Sequence, residues 1–517
     1  MVQLSVSFVV ILGFTCLSIN GARILGLFPF TAKSHFNVME PIVKELASRG
    51  HQLTVVSNFP HKTKSQNYTD IAVNPFDHWQ VLGADAQTSA YDITGVSTAA
   101  LLDVVIKMGL ATTENAFQTK EVQELVHAGP EVKFDLIITE AFFHDAFLLF
   151  AHKFKCPVIA VTSCILPFAY NEALGNISPW SHVPFDYSDS DDKMDFQQRL
   201  SNALDIITDK IIRRFWYWPQ MQILAEKYFS HLEGPLPNVR DLMSNVSLLL
   251  TNSHVSLNRP RPLLPGIVEV GGLHIRPVKP LPKDIQVLLD DCKNGAVYFS
   301  MGSNLKGKDL PPKARAALFQ ALGRLPQLVL WKWEGSQKDL GEDIPKNVVV
   351  RPWWPQSDVL AHPKVRLFIT HGGLLSVQES IHRGVPLLVL PIYGDQKLNS
   401  MRATRGGYGL TIPFNELSEE RVYDSVSQLL NNPTYTDNVK TLSEIFRDRI
   451  IDPLDTAIYW IEYVIRHKGA KHLRTAAIDL PWYSYYMLDI LVVIIILLAM
   501  PFFIAKMLHS FVKKMFK

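Results

Sequence analysis

Short runs of consecutive apolar residues, rather than strict alternation, set the rhythm of this chain, and stretches of helical spacing separate most of them. Near the start, 24–27 reads as a strand, 31–37 as a polar loop, 39–47 as a helix closed by Gly50, and 53–56 as the next strand. Two more strands are expected over 134–139 and 158–162, with an aromatic-rich stretch at 142–150 between them. Residues 165–255 are rich in Tyr, Trp and Met; they show helical stretches, notably 203–216, without a legible packing. Pro260, Pro262, Pro265, Pro277, Pro280 and Pro282 then mark a linker around a strand at 267–270. Beyond it the pattern resumes, with strands at 296–300, 328–331, 347–351, 367–370 and 387–391 and a helix at 312–325. Asp452-Pro453 opens a helix through 463 whose Ile458, Ile461, Val464 and Ile465 extend an apolar stripe. Apolar strands alternating with helices predict parallel sheets covered on both faces, hence an α/β chain of two domains. Ligands of such sheets bind at the carboxyl ends of the strands, which directs attention to a cleft between the domains.

Two longer apolar runs stand apart. Residues 1–20, centred on 8–14 and followed by Gly21 and Ala22, read as a secretory signal, although no Lys or Arg precedes the run. Residues 487–505 are long enough to cross a bilayer, with Tyr483, Tyr485 and Tyr486 on one side and Lys506, Lys513, Lys514 and Lys517 on the other. The expected order is a signal at 1–20, a first domain at 21–259, a linker at 260–282 and a second domain at 283–465. A juxtamembrane segment at 466–486, a membrane span at 487–505 and a cytosolic tail at 506–517 complete it.

A net charge of +2 over 517 residues gives no reason to expect a nucleic-acid partner. Without the signal, Cys156, Cys164 and Cys292 remain, an odd number without metal spacing, which leaves room for at most one bridge. Asn67, Asn176 and Asn245 head N-glycan triplets. No glycine-rich dinucleotide fingerprint follows the first strand, which argues against a dehydrogenase.

The chemistry concentrates between 353 and 396. There a strand ends in His371, Gly372 and Gly373 and a helix follows at once, the local recipe for holding a phosphate on backbone amides. Trp353, Trp354, Pro355 and Gln356 precede it and Asp395 and Gln396 follow. Together these motifs resemble the nucleotide-sugar-binding segment of the UDP-glycosyltransferases, and the whole mature chain is similar to that family, most of all to its insect members. The resemblance implies two Rossmann-like domains facing a cleft, the GT-B arrangement, plus one carboxyl-terminal membrane helix.

By that resemblance Trp353 stacks on uracil, Gln356 bonds the base or ribose region, and Glu379 grips the ribose hydroxyls. His371, Gly373, Ser376 and Ser303 meet the diphosphate, while Asp395 and Gln396, extended by Asn399, bond the sugar. His35 matches the family's general base, and a carboxylate must orient it. The direct match is Glu140 where the family commonly has Asp; Asp145 is the alternative five residues on. The implied reaction is inverting hexose transfer to a small lipophilic hydroxyl compound, with a UDP-sugar as co-substrate and no metal or permanently bound cofactor. UDP-glucose is the favoured donor and UDP-glucuronate the runner-up. A UDP-sugar-binding protein without turnover and a membrane-tethered lipophile carrier are the competing classes. The implied location is the endoplasmic reticulum membrane with lumenal catalytic domains, and the anchor leaves homo-oligomerisation open.

Overall fold

The computed structural model describes residues 21–61, 66–83, 90–335, 340 and 344–516. The signal assigned to 1–20 lies outside the described residues.

The first sheet contains β1 (Arg23–Phe28), β2 (Gln52–Ser57), β3 (Tyr68–Ala72), β4 (Leu136–Glu140), β5 (Val158–Thr162), β6 (Leu248–Thr251) and β7 (Ile267–Glu269). The second contains β8 (Ala296–Ser300), β9 (Leu328–Lys332), β10 (Val348–Arg351), β11 (Val365–Thr370), β12 (Leu387–Val389) and β13 (Gly409–Thr411). Their spatial orders are β3-β2-β1-β4-β5-β6-β7 and β10-β9-β8-β11-β12-β13. Every pairing is parallel. Each sheet therefore reverses its strand order at one place, between β1 and β4 in the first and between β8 and β11 in the second. Crevices open beyond the carboxyl ends of strands at such reversals.

Burial explains why these runs are strands. Successive residues of a strand face opposite sides of its sheet. Leu25, Leu27 and Ile137 enter one core and Ile24, Leu136 and Ile138 the other. In the second sheet Val297 and Phe299 face one layer, Ala296 and Tyr298 the opposite one. Both faces demand apolar residues, so alternation is lost and continuous runs result.

Several expectations need correction. The polar loop expected at 31–37 is largely helix: Lys33–Ser48 starts well before 39. Its first turn is polar because it borders the cleft, which conceals the helix start from an apolar count. The helix expected at 203–216 begins earlier, at Phe196, where Asp195 and Gln198 form a capping box. A π-helical turn, Arg213–Tyr217, joins it to Trp218–Phe229. Sequence order groups the helix Pro453–Arg466 with the second domain, but its Ala457, Ile458, Ile461 and Val464 are buried in a core of the first. Cys156, Cys164 and Cys292 are all free thiols. Asn176 is buried, and its amide donates to Asn171 Oδ1 and the Pro262 carbonyl, so its triplet is closed to a glycan.

The apolar run at the carboxyl end forms one 28-residue helix, Leu488–Met515, with none of its most apolar window buried against the protein. At about 1.5 Å per residue it is roughly 40 Å long, enough to cross a bilayer and continue beyond it.

Candidate active site

His35 lies in the first turn of Lys33–Ser48, directly after β1, and Glu140 is the last residue of β4. The strand reversal brings them together. His35 Nδ1 lies 2.5 Å from Glu140 Oε1. Glu140 is buried, and Ser163, just past β5, donates to the same Oε1 at 3.2 Å while its Oγ lies 3.0 Å from His35 Nδ1. Phe30 and Phe142, in contact with each other at 4.7 Å, both pack on the imidazole at centroid separations of 4.6 Å. Its Nε2 has no hydrogen-bond partner among the described residues, and the ring borders the cleft.

The two carboxylates left open by the sequence are thereby separated. Asp145 is buried and accepts hydrogen bonds from Tyr170 and Tyr217, each at 2.8 Å. Burial raises its pKa against the opposing pull of those phenols. Its two oxygens are engaged away from His35, and it braces the aromatic wall of the first domain instead.

On the opposite side, β11 ends at Thr370 and the ten-residue helix Leu374–Arg383 begins after Gly373. Gly302 has φ 84°, and a Cβ there would lie 2.5 Å from His371 Cε1; a Cβ on Gly373 would lie 2.5 Å from its Nε2. The imidazole occupies the space that two absent side chains leave. Burial lowers the His371 pKa to about 4, with Lys332 adding to the effect. In the ligand-free protein His371 is therefore a neutral hydrogen-bonding group near pH 7, not a cation.

Trp353 is 64% exposed over the cleft, whereas Trp354 is buried with its indole N–H on the Trp331 carbonyl at 3.1 Å. The two indoles are thus placed differently, one toward the cleft and one in the core. Gln356 donates to Ser376 Oγ at 3.1 Å and to Glu379 Oε2 at 2.5 Å. Burial raises the Glu379 pKa to about 7, against the pull of Gln356 and Arg383. Ser303 is exposed at the cleft beyond β8.

Asp395 and Gln396 have unequal freedom. Gln396 Oε1 already accepts from the Ile392 and Tyr393 amides at 2.8 and 3.1 Å, so only its NH2 is left to turn outward. Asp395 accepts from Asn399 at 3.1 Å, and burial raises its pKa to about 6. It is also within electrostatic reach of His35, which joins the two halves across the cleft. Asn399 additionally donates to the Gly372 carbonyl at 3.0 Å, which makes it a brace for the turn rather than an extension of the sugar patch.

One cavity of about 450 Å³ is lined by His35, Asp395, Trp353 and Glu379 together with Phe142, Met108 and Tyr187 of the first domain. Sequence reasoning missed Ser163, Lys332 and the Asn304–Tyr393 pair. Lys332 Nζ donates to the Gly302 carbonyl at 2.6 Å and to Glu334 at 2.7 Å; Asn304 donates to Tyr393 at 2.6 Å. A usable signal existed for two of them: Lys332 ends β9 and Ser163 directly follows β5, polar residues closing apolar runs at the ligand-binding end. Among the described residues no group of three or more His, Cys, Asp or Glu is placed to hold a metal ion.

Residues 25–517 match the family model described as UDP-glucoronosyl and UDP-glucosyl transferase. A UDP-glycosyltransferase, UGT5, from Dactylopius coccus is 37% identical over 92% of this chain and 89% of that protein. UDP-glucosyltransferase 2 from the same insect is 34% identical over 94% and 92%. UDP-glucuronosyltransferase 1A10 from Homo sapiens is 31% identical over 89% and 86%. Among solved structures, the glycosyltransferase VinC in complex with dTDP shares the fold at a TM-score of 0.57 and 16% identity, covering 86% of this chain and all 100% of that one. The calicheamicin glycosyltransferase CalG4 does so at 0.55 and 18%, covering 87% and 99%.

Proposed function

Since the chain belongs to the UDP-glycosyltransferase family and is a UDP-sugar-dependent transferase of GT-B fold, we propose that it moves glucose from UDP-glucose to a hydroxyl of a small lipophilic acceptor. The observation that carries this reading is the 2.5 Å contact between His35 and Glu140, with the free His35 Nε2 bordering the cleft. Nε2 takes the acceptor proton as the oxygen attacks the anomeric carbon, and the bond to the diphosphate breaks with its electron pair leaving on UDP. Glu140 fixes the tautomer and stabilises the imidazolium that forms. Amides at the start of Leu374–Arg383, the His371 ring and Ser303 stabilise the departing diphosphate. A single displacement inverts the anomeric centre, so an α-linked donor gives a β-glycoside.

Trp353 is the platform for uracil, Glu379 the ribose acceptor, and Asp395 with the Gln396 NH2 the contacts to the sugar. Glucose as donor is supported by the similarity to a glucosyltransferase from an insect. The aromatic lining of the first domain and the membrane helix support a lipophilic acceptor. The basic residues from Lys506 onward support a cytosolic tail, hence lumenal catalytic domains and residence in the endoplasmic reticulum.

Permeabilised membranes bearing the enzyme, supplied with UDP-glucose or UDP-glucuronate and a panel of phenols and sterols, should yield a product heavier by one hexose. Growth of a glucuronide alone would replace the donor assignment. His35→Ala should keep UDP binding and lose about 10²–10⁴-fold in kcat; near-normal turnover in the folded variant would remove the base assignment.

A further inference from the structure

The helix Phe196–Ile212, with the π turn that continues it, carries a continuous apolar stripe on its outer face. Phe196, Leu200, Leu204, Ile207, Ile211 and Phe215 recur at intervals of four, four, three, four and four residues, which places them on one face. That face points away from the protein: all six are exposed, and the two terminal phenylalanines are 71% and 75% exposed. The inward face sends Ile206 into the first domain's core but is otherwise largely polar. Asn202 is buried and bonds the Trp180 and Val183 carbonyls, and Asp209 is buried against Arg213 at 2.8 Å. A surface helix ordinarily turns such a stripe toward the core, since large apolar side chains left in water forfeit the gain of burial.

We propose that this outward face lies in the membrane interface, with the lipid bilayer as its occupant. Three observations favour a bilayer over another surface. The stripe is narrow, with Arg199 and Lys210 beside one edge and Ser201 and Thr208 beside the other, the pattern of a helix lying in the plane of the headgroups. The stripe also adjoins the point where the chain meets the membrane. Lys210 pairs with Glu172 of the helix Phe168–Ala173, and Glu172 lies within electrostatic reach of Tyr485, just ahead of the membrane helix Leu488–Met515. Gly175, just beyond that same short helix, packs against Thr475, Ala477 and Ile478 of the juxtamembrane segment. Finally, Trp482, Tyr483 and Tyr486 are exposed beside it, aromatic residues of the kind that settle at a bilayer surface.

The contact has a consequence for the reaction. From the same continuous helix Arg213 turns inward, its guanidinium 4.4 Å from the Phe143 ring centroid, and borders the cleft, while Tyr217 holds Asp145. One helix thus faces lipid on its outside and the acceptor wall on its inside, and a compound dissolved in the bilayer reaches the cleft along it. This consequence rests on the proposed lipophilic acceptor; the membrane contact itself does not.

The test uses the full chain reconstituted in phosphatidylcholine–phosphatidylserine vesicles, with a photoreactive benzophenone side chain in place of Leu204 or Ile207. A control carries it in place of exposed Glu444 on the second domain. Unchanged turnover of a water-soluble acceptor, which needs both domains, verifies folding in each. Irradiation should attach lipid at 204 and 207 several-fold more than at 444. Crosslinks between two copies without lipid adducts would overturn the proposal in favour of self-association. Lipid labelling no higher than the control would overturn it outright. Independently, Leu204→Asp with Ile207→Asp should raise the KM for a bilayer-dissolved phenol several-fold and leave that of a water-soluble one unchanged. An equal rise for both acceptors would overturn the route along the helix while leaving the lipid-labelling result to decide the contact.

Discussion

Glu379 shows how a single side chain carries both a role and its test. An ordinary Glu ionises near 4.5, but burial raises this one to about 7 in the ligand-free protein. Accepting hydrogen bonds from ribose hydroxyls favours the carboxylate, so bound nucleotide sugar lowers that pKa and binding releases a proton. Affinity for UDP-glucose should accordingly be level above about pH 7 and fall as pH drops below it, by at most about tenfold per unit. The diphosphate diester of UDP-glucose keeps its charge across that range, and His371, lowered to about 4, acts with the opposite sign in wild type and variant alike. Calorimetric titration from pH 5.5 to 8 of wild type and Glu379→Gln isolates the carboxyl, and equal slopes in the two would dismiss its role. The proposed donor side chains stood out in the sequence because they crowd into one stretch, where His371, Ser376 and Glu379 share a turn and a helix. Glu140 and Asp145 were not separable in the same way. Choosing between them needs the register of β1 beside β4, which brings the end of β4 to His35 and turns Asp145 toward Tyr170 and Tyr217.

At the scale of elements, the proposed diphosphate site is a meeting of two strand ends rather than a motif. β8 delivers Gly302, β11 delivers His371, and the imidazole fills the gap between two glycines. Gly302→Ala combines a strained backbone, at φ 84°, with a Cβ 2.5 Å from the ring. Strain of this kind costs about 1–3 kcal/mol, so displacement of His371 should weaken UDP binding by roughly tenfold or more. Titration with UDP checks it, and unchanged affinity would mean the ring has room to move. The strands β5 and β8 were legible to the residue because each is a buried apolar run with polar neighbours. β3 was missed, since an edge strand reading Tyr-Thr-Asp-Ile-Ala is only half buried. The early start of Lys33–Ser48 was missed for a related reason: a helix turn facing a polar cleft looks like a loop when only apolar spacing is counted.

At the scale of the molecule the two domains are tied together by more than their linker. Tyr91 of the first domain is buried among second-domain residues, stacked on Phe414 at 5.3 Å. In return Pro453–Arg466 leaves the second domain to complete the first. Burying its Ile458, Ile461 and Val464 contributes roughly 1.5–3 kcal/mol each, a sum comparable with the net stability of an ordinary domain, about 5–15 kcal/mol. A chain ending before Asp452 should therefore fail to fold its first domain, whereas one ending at residue 480 keeps this helix, loses only the anchor and its approach, and should bind UDP with near-normal affinity. Sequence order alone hides this, because the apolar stripe at 458–465 says that the helix is covered and not by which sheet. The anchorless chain also separates tethering from surface contact. With the stripe from Phe196 to Phe215 intact it should still float with phosphatidylcholine–phosphatidylserine vesicles in a density gradient, and the Leu204→Asp, Ile207→Asp version should stay at the bottom. Glycoside formation by the chain that ends before Asp452, which needs His35 and Glu140 of the first domain, would overturn the structural role of Pro453–Arg466. Equal flotation of the two longer chains would show that some surface other than this helix meets the lipid.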